Sequence, residues 1–429
     1  MFRYEFTLNI YSNRKDAMME KRVVITGRGL VTPLGNGLAA NLQALQEGKN
    51  GIVFMQEWAD MGLDSHVAGA SDREVDCPVF NQKNLRFMSP NSRFAVAAAY
   101  EALREANIDP ENLPESRIAL INGCAGSSYA TAYENMNKFA TTKKVRACSP
   151  FAVPRIMPSS AVANISLLFK ITGESYDISC ACTSSAQAII TAARLIKSGD
   201  YDMVIAGGSE ELSWGQAIGF NSMRALSKNY NSCPEKASRP FDKNRDGFVL
   251  AEGSGMLILE SEEHALKRGV MPKAVVSGYY ANSNAEDMVV PSADSTADVM
   301  GNAIKRAGLT PEDIAYVNTH GTSTPVGDPI ELEGIRKVFG ENSVVAINST
   351  KSLTGHMIGA AGAVEAIFST LMMENSFLCK SANIDELDPA IAWANILQEK
   401  VDKEFDHFLS NSFGFGGSNA SIVISKYKN

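Results

Sequence analysis

The sequence predicts an α/β protein, and three observations carry that reading. Short β-branched or apolar runs recur along the 429 residues, and each is followed by a stretch with helical spacing. No Pro/Ser-rich linker and no low-complexity segment divides the chain. The composition, 45% hydrophobic and 21% charged, is that of a globular protein able to bury a large core, which excludes disorder as the main state. At a working length of about 150 residues per domain, the chain fits roughly three domains or one large duplicated one.

Taken in order, the predicted strands are RVVITG (22–27), RIALING (117–123), SYDIS (175–179), MVIAGG (203–208), GMLILE (255–260), KAVVSGYY (273–280), AYVNT (315–319) and SVVAINS (343–349). The weakest joint is the charged stretch ESEEHALKRGVMP (260–272). Strand–helix–strand patterns lie on both sides of it, which suggests two related halves, 20–270 and 271–429. Residues 1–19 carry charges throughout and no apolar core, so they read neither as a secretory signal nor as a transit peptide. They are expected to be an extension ahead of the second Met pair, with a partner-binding strand as the alternative. No run of about 18 apolar residues is present, so no membrane span is expected. Forty basic against 48 acidic residues give a net charge of −8, which argues against a nucleic-acid binder. Seven cysteines, an odd count without framework spacing, point to a reduced, cytoplasmic protein.

SYDISCACTSSAQAIITAARLIKSGD (175–200) is the most informative segment. A strand gives way to a helix patterned by Ala186, Ile189, Ile190, Ala193 and Ile196, so Cys182 falls at the helix start. Unpaired N–H groups and the positive dipole end there are expected to favour a thiolate and lower its pKa. The competing readings are a small buried hydrophobe, which suits the other cysteines, and a Cys180–Cys182 metal or redox pair. The second has no further Cys/His pair at zinc spacing to complete it.

Two of the five histidines stand in chemistry-like settings. His320 follows a strand within HGTSTPVGDPIEL (320–332), where α/β proteins place functional loops. His356 lies in KSLTGHMIGAAGAVEAIFSTLMM (351–373), read as one buried helix whose entrance would hold an imidazole neutral. Lys351 precedes it by five residues, either as a solvated cation or as a group that sets the local potential. Asp328-Pro329-Ile330-Glu331 has the spacing of a helix N-cap with a capping box, which competes with any functional role for Glu331. In SNSFGFGGSNASIVIS (410–425), two strands flank a glycine turn that is either a plain hairpin or a source of N–H groups for an oxyanion.

Together, SCACTSS, HGTSTPVGD, KSLTGHMIGAAG and NSFGFGGSN, in this order, resemble the β-ketoacyl-[acyl carrier protein] synthases over about residues 20 to 427. RFMS (86–89), EELSW (210–214), KASRPFD (236–242) and DMVVPS (287–292) make the likeness strongest to the bacterial type I enzymes. The resemblance implies a thiolase-like duplicated fold, layered α/β/α/β/α with two five-stranded mixed sheets, and a homodimer. It assigns Cys182 as nucleophile, His320 and His356 as the catalytic pair, and Lys351 and Glu331 to their network. Thr322 and Thr324 fall on phosphopantetheine-binding positions. Phe415 falls on a gating aromatic whose N–H completes an oxyanion hole with that of Cys182, and Gly126 falls on a pocket-floor position bulkier in type II enzymes.

The implied reaction is ping-pong. An acyl group passes from acyl carrier protein to Cys182, and malonyl carrier protein then decarboxylates and condenses with it, with no metal or organic cofactor. Such carriers are acidic, so a basic docking patch is expected, with Lys83 and Arg86 in one run and Lys143, Lys144 and Arg146 in another. The alternatives are a specialised ketosynthase of polyketide or aryl polyene assembly, a thiolase, and a non-catalytic chain-length-factor-like subunit. A thiolase would carry a second Cys in the C-terminal glycine loop, and the non-catalytic subunit would lack Cys182; neither matches.

Overall fold

The computed structural model describes residues 21–114 and 117–428; the extension read at residues 1–19 lies outside them. Every predicted apolar run becomes a strand. In chain order these are β1 (Val23–Thr32), β2 (Ile118–Gly123), β3 (Ser175–Ile178), β4 (Met203–Glu210), β5 (Gly253–Ser261), β6 (Ala274–Ser283), β7 (Tyr316–Asn318), β8 (Ala346–Asn348), β9 (His407–Gly414) and β10 (Ser418–Lys426). β1, β4 and β5 are buried along their whole length, hence their unbroken apolar character.

Two five-stranded mixed sheets result, ordered β3-β2-β4-β5-β1 and β8-β7-β9-β10-β6. Their pairing repeats. β2 is parallel to β3 and β4, and β4–β5 and β5–β1 are antiparallel. β7 is likewise parallel to β8 and β9, and β9–β10 and β10–β6 are antiparallel. The sheets meet edge to edge through only two residue pairs, Val24↔Val275 and Ile25↔Ala274.

Helices complete the layers. We number those used below α1 (Pro90–Glu105), α2 (Tyr129–Thr142), α3 (Ser184–Lys197), α4 (Trp214–Ser222), α5 (Ala293–Arg306), α6 (Gly327–Phe339) and α7 (Ala361–Glu374). Ala95, Ala99 and Leu103 of α1 pack on Leu120, Ile205 and Ile258 at the outer face of the first sheet. Val299 and Ile304 of α5 and Ile335 of α6 do the same with Val317, Leu409 and Val423 of the second. Between the sheets lie α3 and α7, whose Ile189, Ile190, Val364 and Phe368 share one cluster with Val204, Leu257, Phe408 and Ile422. The fold is therefore the expected layering, and its middle layer holds the two segments that carry Cys182 and His356.

One expected element is different. Residues 351–373 are buried throughout but do not form one helix. A short turn, Lys351–Thr354, ends at Gly355 (φ +76°), Ile358 takes φ +43°, and α7 starts only at Ala361. His356 thus sits in a kinked turn five residues ahead of the helix.

Candidate active site

Cys182 occupies the turn between β3 and α3. The strand stops at Ile178, and Ala181 adopts φ +49°, a left-handed conformation that a residue with a Cβ holds only when its surroundings enforce it. The enforcement is visible. The Cys180 N–H donates to Ser184 Oγ at 2.9 Å, and the Thr183 hydroxyl donates to the Cys180 carbonyl at 2.6 Å. Thr183 Oγ1 also lies 2.9 Å from Ser418 Oγ, tying this turn to the glycine loop of the β9–β10 hairpin.

The Cys182 thiol departs from the expectation of a lowered pKa. Burial pushes it up to about 12, against the pull of the Lys351 charge and of the Cys182 and Phe415 N–H groups. Desolvation outweighs what the helix start offers. The same two N–H groups are directed at the sulfur. Gly416 and Gly417, at φ +78° and +75°, bend the chain there, and the Gly416 N–H donates to the Met288 carbonyl at 2.7 Å.

His320 lies two residues past β7 and His356 in its kinked turn, yet their rings stand 5.1 Å apart, nearly perpendicular. Cys182 Sγ and a ring nitrogen of each histidine all lie within 4.8 Å of one another. Nδ1 of His320 and both nitrogens of His356 have no hydrogen-bond partner among the described residues. Burial, then the charge of Lys351, holds both imidazoles well below their ordinary pKa, so both are neutral at pH 7. These three donor atoms could also take a thiophilic cation such as zinc, at the expense of the free sulfur that acyl transfer needs.

Lys351 is 1% exposed, and its Nζ pairs with Glu365 Oε1 at 2.5 Å. Sequence reasoning missed Glu365. Its signal was there, since it is the lone charge within the apolar stretch 361–373. Burial raises its pKa to about 7, opposed by Lys351.

The capping-box reading of Asp328 and Glu331 is overturned. α6 begins at Gly327, so Asp328 lies inside it, and its carboxylate accepts from the N–H groups of Ser323, Thr324 and Phe241. Glu331 instead accepts from the His320 and Gly321 N–H groups, both at 2.8 Å, and from Asn411 Nδ2 at 3.2 Å. It holds the backbone that carries His320. Burial raises its pKa to about 7 despite those donors.

One cavity of about 550 Å³ has Cys182, His320, His356, Glu331, Thr322, Thr324 and Phe415 in its walls, with the Lys351–Glu365 pair outside that lining. Gly126 also lines it. The Thr322 and Thr324 hydroxyls are 3.3 Å apart. Glu210, singled out earlier only within EELSW, accepts from the N–H groups of Ala125, Gly126 and Gly359 at 3.0–3.1 Å and so joins the two halves beside the cavity. Lys83, Arg86, Lys143, Lys144 and Arg146 are all exposed, and none lines the cavity. The Arg86 guanidinium lies 5.2 Å from the ring centre of Phe151, just past the second basic run.

A duplicated α/β fold with a cysteine and two neutral histidines on the wall of one cavity, and a buried Lys–Glu pair whose charge acts on those histidines, is the arrangement of a thiolase-like fold. The chain belongs to the beta-ketoacyl synthase family: residues 20–265 match its N-terminal domain and residues 273–385 its C-terminal domain. It is 44% identical to the 3-oxoacyl-[acyl-carrier-protein] synthase 1 of Escherichia coli K12, over 95% of this chain and all of that one. Its fold superposes on a beta-ketoacyl synthase from Burkholderia phymatum STM815 with a TM-score of 0.89 at 33% identity, covering 95% of this chain and 100% of the other. It is also similar (TM-score 0.87, 29% identity, 95% and 100% covered) to a ketosynthase solved in complex with a type II polyketide acyl-carrier protein and bound to a hexaketide.

Proposed function

We propose that this chain is a condensing acyltransferase, a 3-oxoacyl-[acyl carrier protein] synthase of fatty-acid elongation, with Cys182 as its nucleophile. The observation that carries the reading is the convergence of Cys182 Sγ and the two histidine rings within 4.8 Å, on the cavity wall and under the Cys182 and Phe415 N–H groups. The sulfur attacks an acyl thioester, and the two N–H groups take the charge of the tetrahedral oxyanion as the carrier's thiol leaves. A malonyl thioester then enters by the same cavity. As CO₂ leaves, negative charge builds on the thioester oxygen, and neutral imidazoles can donate hydrogen bonds to it, which imidazoles already occupied by other partners could not. The carbanion attacks the acyl group on Cys182 and releases a 3-oxoacyl thioester two carbons longer. Burial, reinforced by the positive charge of Lys351, keeps the imidazoles unprotonated, and Glu331 fixes His320 in place.

Thr322 and Thr324, side by side on the wall, suit hydrogen bonding to the amides of a phosphopantetheine arm. Substrates arrive on acyl carrier protein, docked through the basic runs at Lys83 and Arg86 and at Lys143, Lys144 and Arg146. No other cofactor takes part in this scheme. The protein acts in the cytoplasm as a homodimer. α2 presents Tyr133, Met136 and Phe139 exposed, Met136 at 71%, and β3 is an open sheet edge, surfaces that suit a second copy. Among the described residues no helix is long and apolar enough to cross a membrane.

The test is condensation of an acyl and a malonyl carrier protein by the purified chain, followed by mass spectrometry of residue 182. Wild type should carry an acyl group on Cys182 and form 3-oxoacyl product. Cys182→Ser should do neither, and product formed by that variant would end the proposed mechanism.

A further inference from the structure

The loop that carries Thr322 and Thr324 is held from behind the cavity wall, and its two halves hang on different residues. His320 and Gly321 hang on Glu331 through their N–H groups. From Ser323 onward the holders change. Ser323 is fully buried at φ +71°, a left-handed conformation that a residue with a Cβ keeps only when its surroundings enforce it. Its hydroxyl accepts from the Arg239 N–H at 3.0 Å and its carbonyl from the Gly247 N–H at 3.2 Å, while its own N–H donates to Asp328 at 3.1 Å. Thr322 and Thr324, on either side of it, line the cavity, and Ser323 does not. Arg245 completes the hold. It is 7% exposed and lies outside the cavity lining. Its Nε donates to the Thr324 carbonyl at 3.0 Å and its Nη2 to the Pro325 carbonyl at 3.1 Å. Nη1 anchors the guanidinium on the Asp242 carbonyl at 2.8 Å and the Asp388 carboxylate at 2.7 Å. Asp328, 3.8 Å from Arg245, takes the N–H groups of the same loop.

A planar fork of donors reaches two loop carbonyls and a carboxylate at once, which an ammonium at a single point does not. On the backbone so fixed, Thr324 Oγ1 accepts from the Gly327 N–H at 3.1 Å, which leaves its proton for Thr322, 3.3 Å away, or for a bound group. We propose that Arg245 is a positioning residue for substrate binding. By holding the Thr324 and Pro325 carbonyls it sets Thr322 and Thr324 against the amide-bearing arm of the thioester, separately from the hold of Glu331 on His320. The inference rests on the acyl-transfer reading of Cys182 and on the arm-binding role of the two threonines. It divides one loop into a part that serves chemistry and a part that serves binding. Loss of Arg245 therefore weakens the hold on the arm and spares the sulfur, whereas loss of a merely structural arginine would lower reaction with every donor alike.

The experiment is a competition between two donors of one acyl group. The first is its pantetheine thioester, and the second is its ethanethiol thioester, also an alkyl thioester but without amides, with the acyl chain perdeuterated. Both are mixed with the enzyme below saturation, and the ratio of light to heavy acyl on Cys182 is read by intact-protein mass spectrometry. Because the ratio is internal to each sample, partial loss of folded protein does not move it. Wild type should favour the pantetheine donor. Arg245→Met should shift the ratio toward the amide-free donor by roughly five- to tenfold, the scale of one or two hydrogen bonds between neutral groups. Arg245→Lys, the milder change, should shift it the same way by less. Lys243→Ala, which removes a surface ion pair with Glu386 in the same segment, should leave the ratio at its wild-type value. A ratio unchanged in both Arg245 variants, or shifted equally by Lys243→Ala, overturns the inference while leaving acyl transfer intact. A wild type that does not favour the pantetheine donor removes the arm-binding role of the threonines and this inference with it. Absence of any acyl group on Cys182, from these donors and from acyl carrier protein alike, overturns the acyl-transfer reading itself.

Discussion

At the scale of single residues, the proposed mechanism gives the two histidines separate jobs. The Cys182 thiol, pushed up to about 12 by burial, is protonated at neutral pH, and its proton must leave as the sulfur attacks. His320 and His356, held neutral by burial and Lys351, are the acceptors and donors within reach. His356 has both nitrogens unpartnered and suits the oxyanion of decarboxylation. His356→Ala should therefore slow malonyl decarboxylation by roughly 100-fold, the cost of one oxyanion donor. Acylation of Cys182 should fall much less. Radiolabelled CO₂ release and single-turnover acylation measure the two steps separately, and equal losses would contradict the assignment. Since both imidazoles already lack a proton well below pH 6.5, decarboxylation by wild type should also stay flat as pH falls through that value.

At the scale of elements, loops are held by carboxylates more than by helix starts. Glu331 reaches out of α6 to the His320 and Gly321 N–H groups, and Asp328 reaches from the same helix to Ser323 and Thr324. Removing the Glu331 carboxylate in Glu331→Ala strands buried donors, at about 1–3 kcal/mol each. We expect a loss of roughly 2–4 kcal/mol in urea unfolding, and a fall in kcat larger than any rise in KM, because His320 moves while the acyl cavity remains. Glu331→Gln, which keeps one carbonyl acceptor, should recover part of both; recovery of neither would leave Glu331 without a positioning role. This is where sequence reading reached its limit. Strands buried on both faces announce themselves as apolar runs, so β1, β4 and β5 were legible, as was the repeat of strand–helix units. The spacing Asp-Pro-Ile-Glu was legible too, but not the direction in which its carboxylates face, because that depends on a loop folded back from β7. The break at Gly355 and Ile358 was hidden for a related reason: uniform burial gives both sides of the kink the same apolar composition. Cys182 and the two histidines could be found from their neighbours, whereas Glu365 becomes meaningful only once Lys351 is seen beside it.

At the scale of the whole molecule, charge is distributed in two ways that the net −8 conceals. Outside, five exposed basic side chains, Lys83, Arg86, Lys143, Lys144 and Arg146, form the proposed docking patch of an acidic protein. Lys143→Glu with Arg146→Glu should weaken carrier-protein binding several-fold at low salt and much less at high salt, as titration calorimetry at two ionic strengths would measure; unchanged affinity would remove the patch from the scheme. Inside, burial lifts Asp177, Glu210, Glu211, Glu331 and Glu365 to about 7 and Asp328 to about 6. A carboxyl raised above its unfolded value stabilises the fold fully below that value, and the contribution is lost as pH rises through the folded one. Buried histidines act oppositely: with folded values depressed, His320, His356 and His407 contribute stability above about pH 6.5 and lose it on acidification. Between about pH 4.5 and 7 the two effects compete, each group contributing up to about 1.4 kcal/mol per pH unit. Six carboxyls stand against three histidines, so the carboxyls prevail. The carboxyls depressed by partners, such as Asp202, Asp242 and Glu260, titrate below this window and do not alter the sign. The urea midpoint of the protein should therefore fall from pH 5.5 to pH 7.5. Glu331→Gln, which cannot titrate, should show a shallower fall than wild type. A midpoint that rises across this interval would mean that the buried carboxyls are ionised in the fold, and the site would then hold more negative charge around Lys351 than its neutral histidines allow.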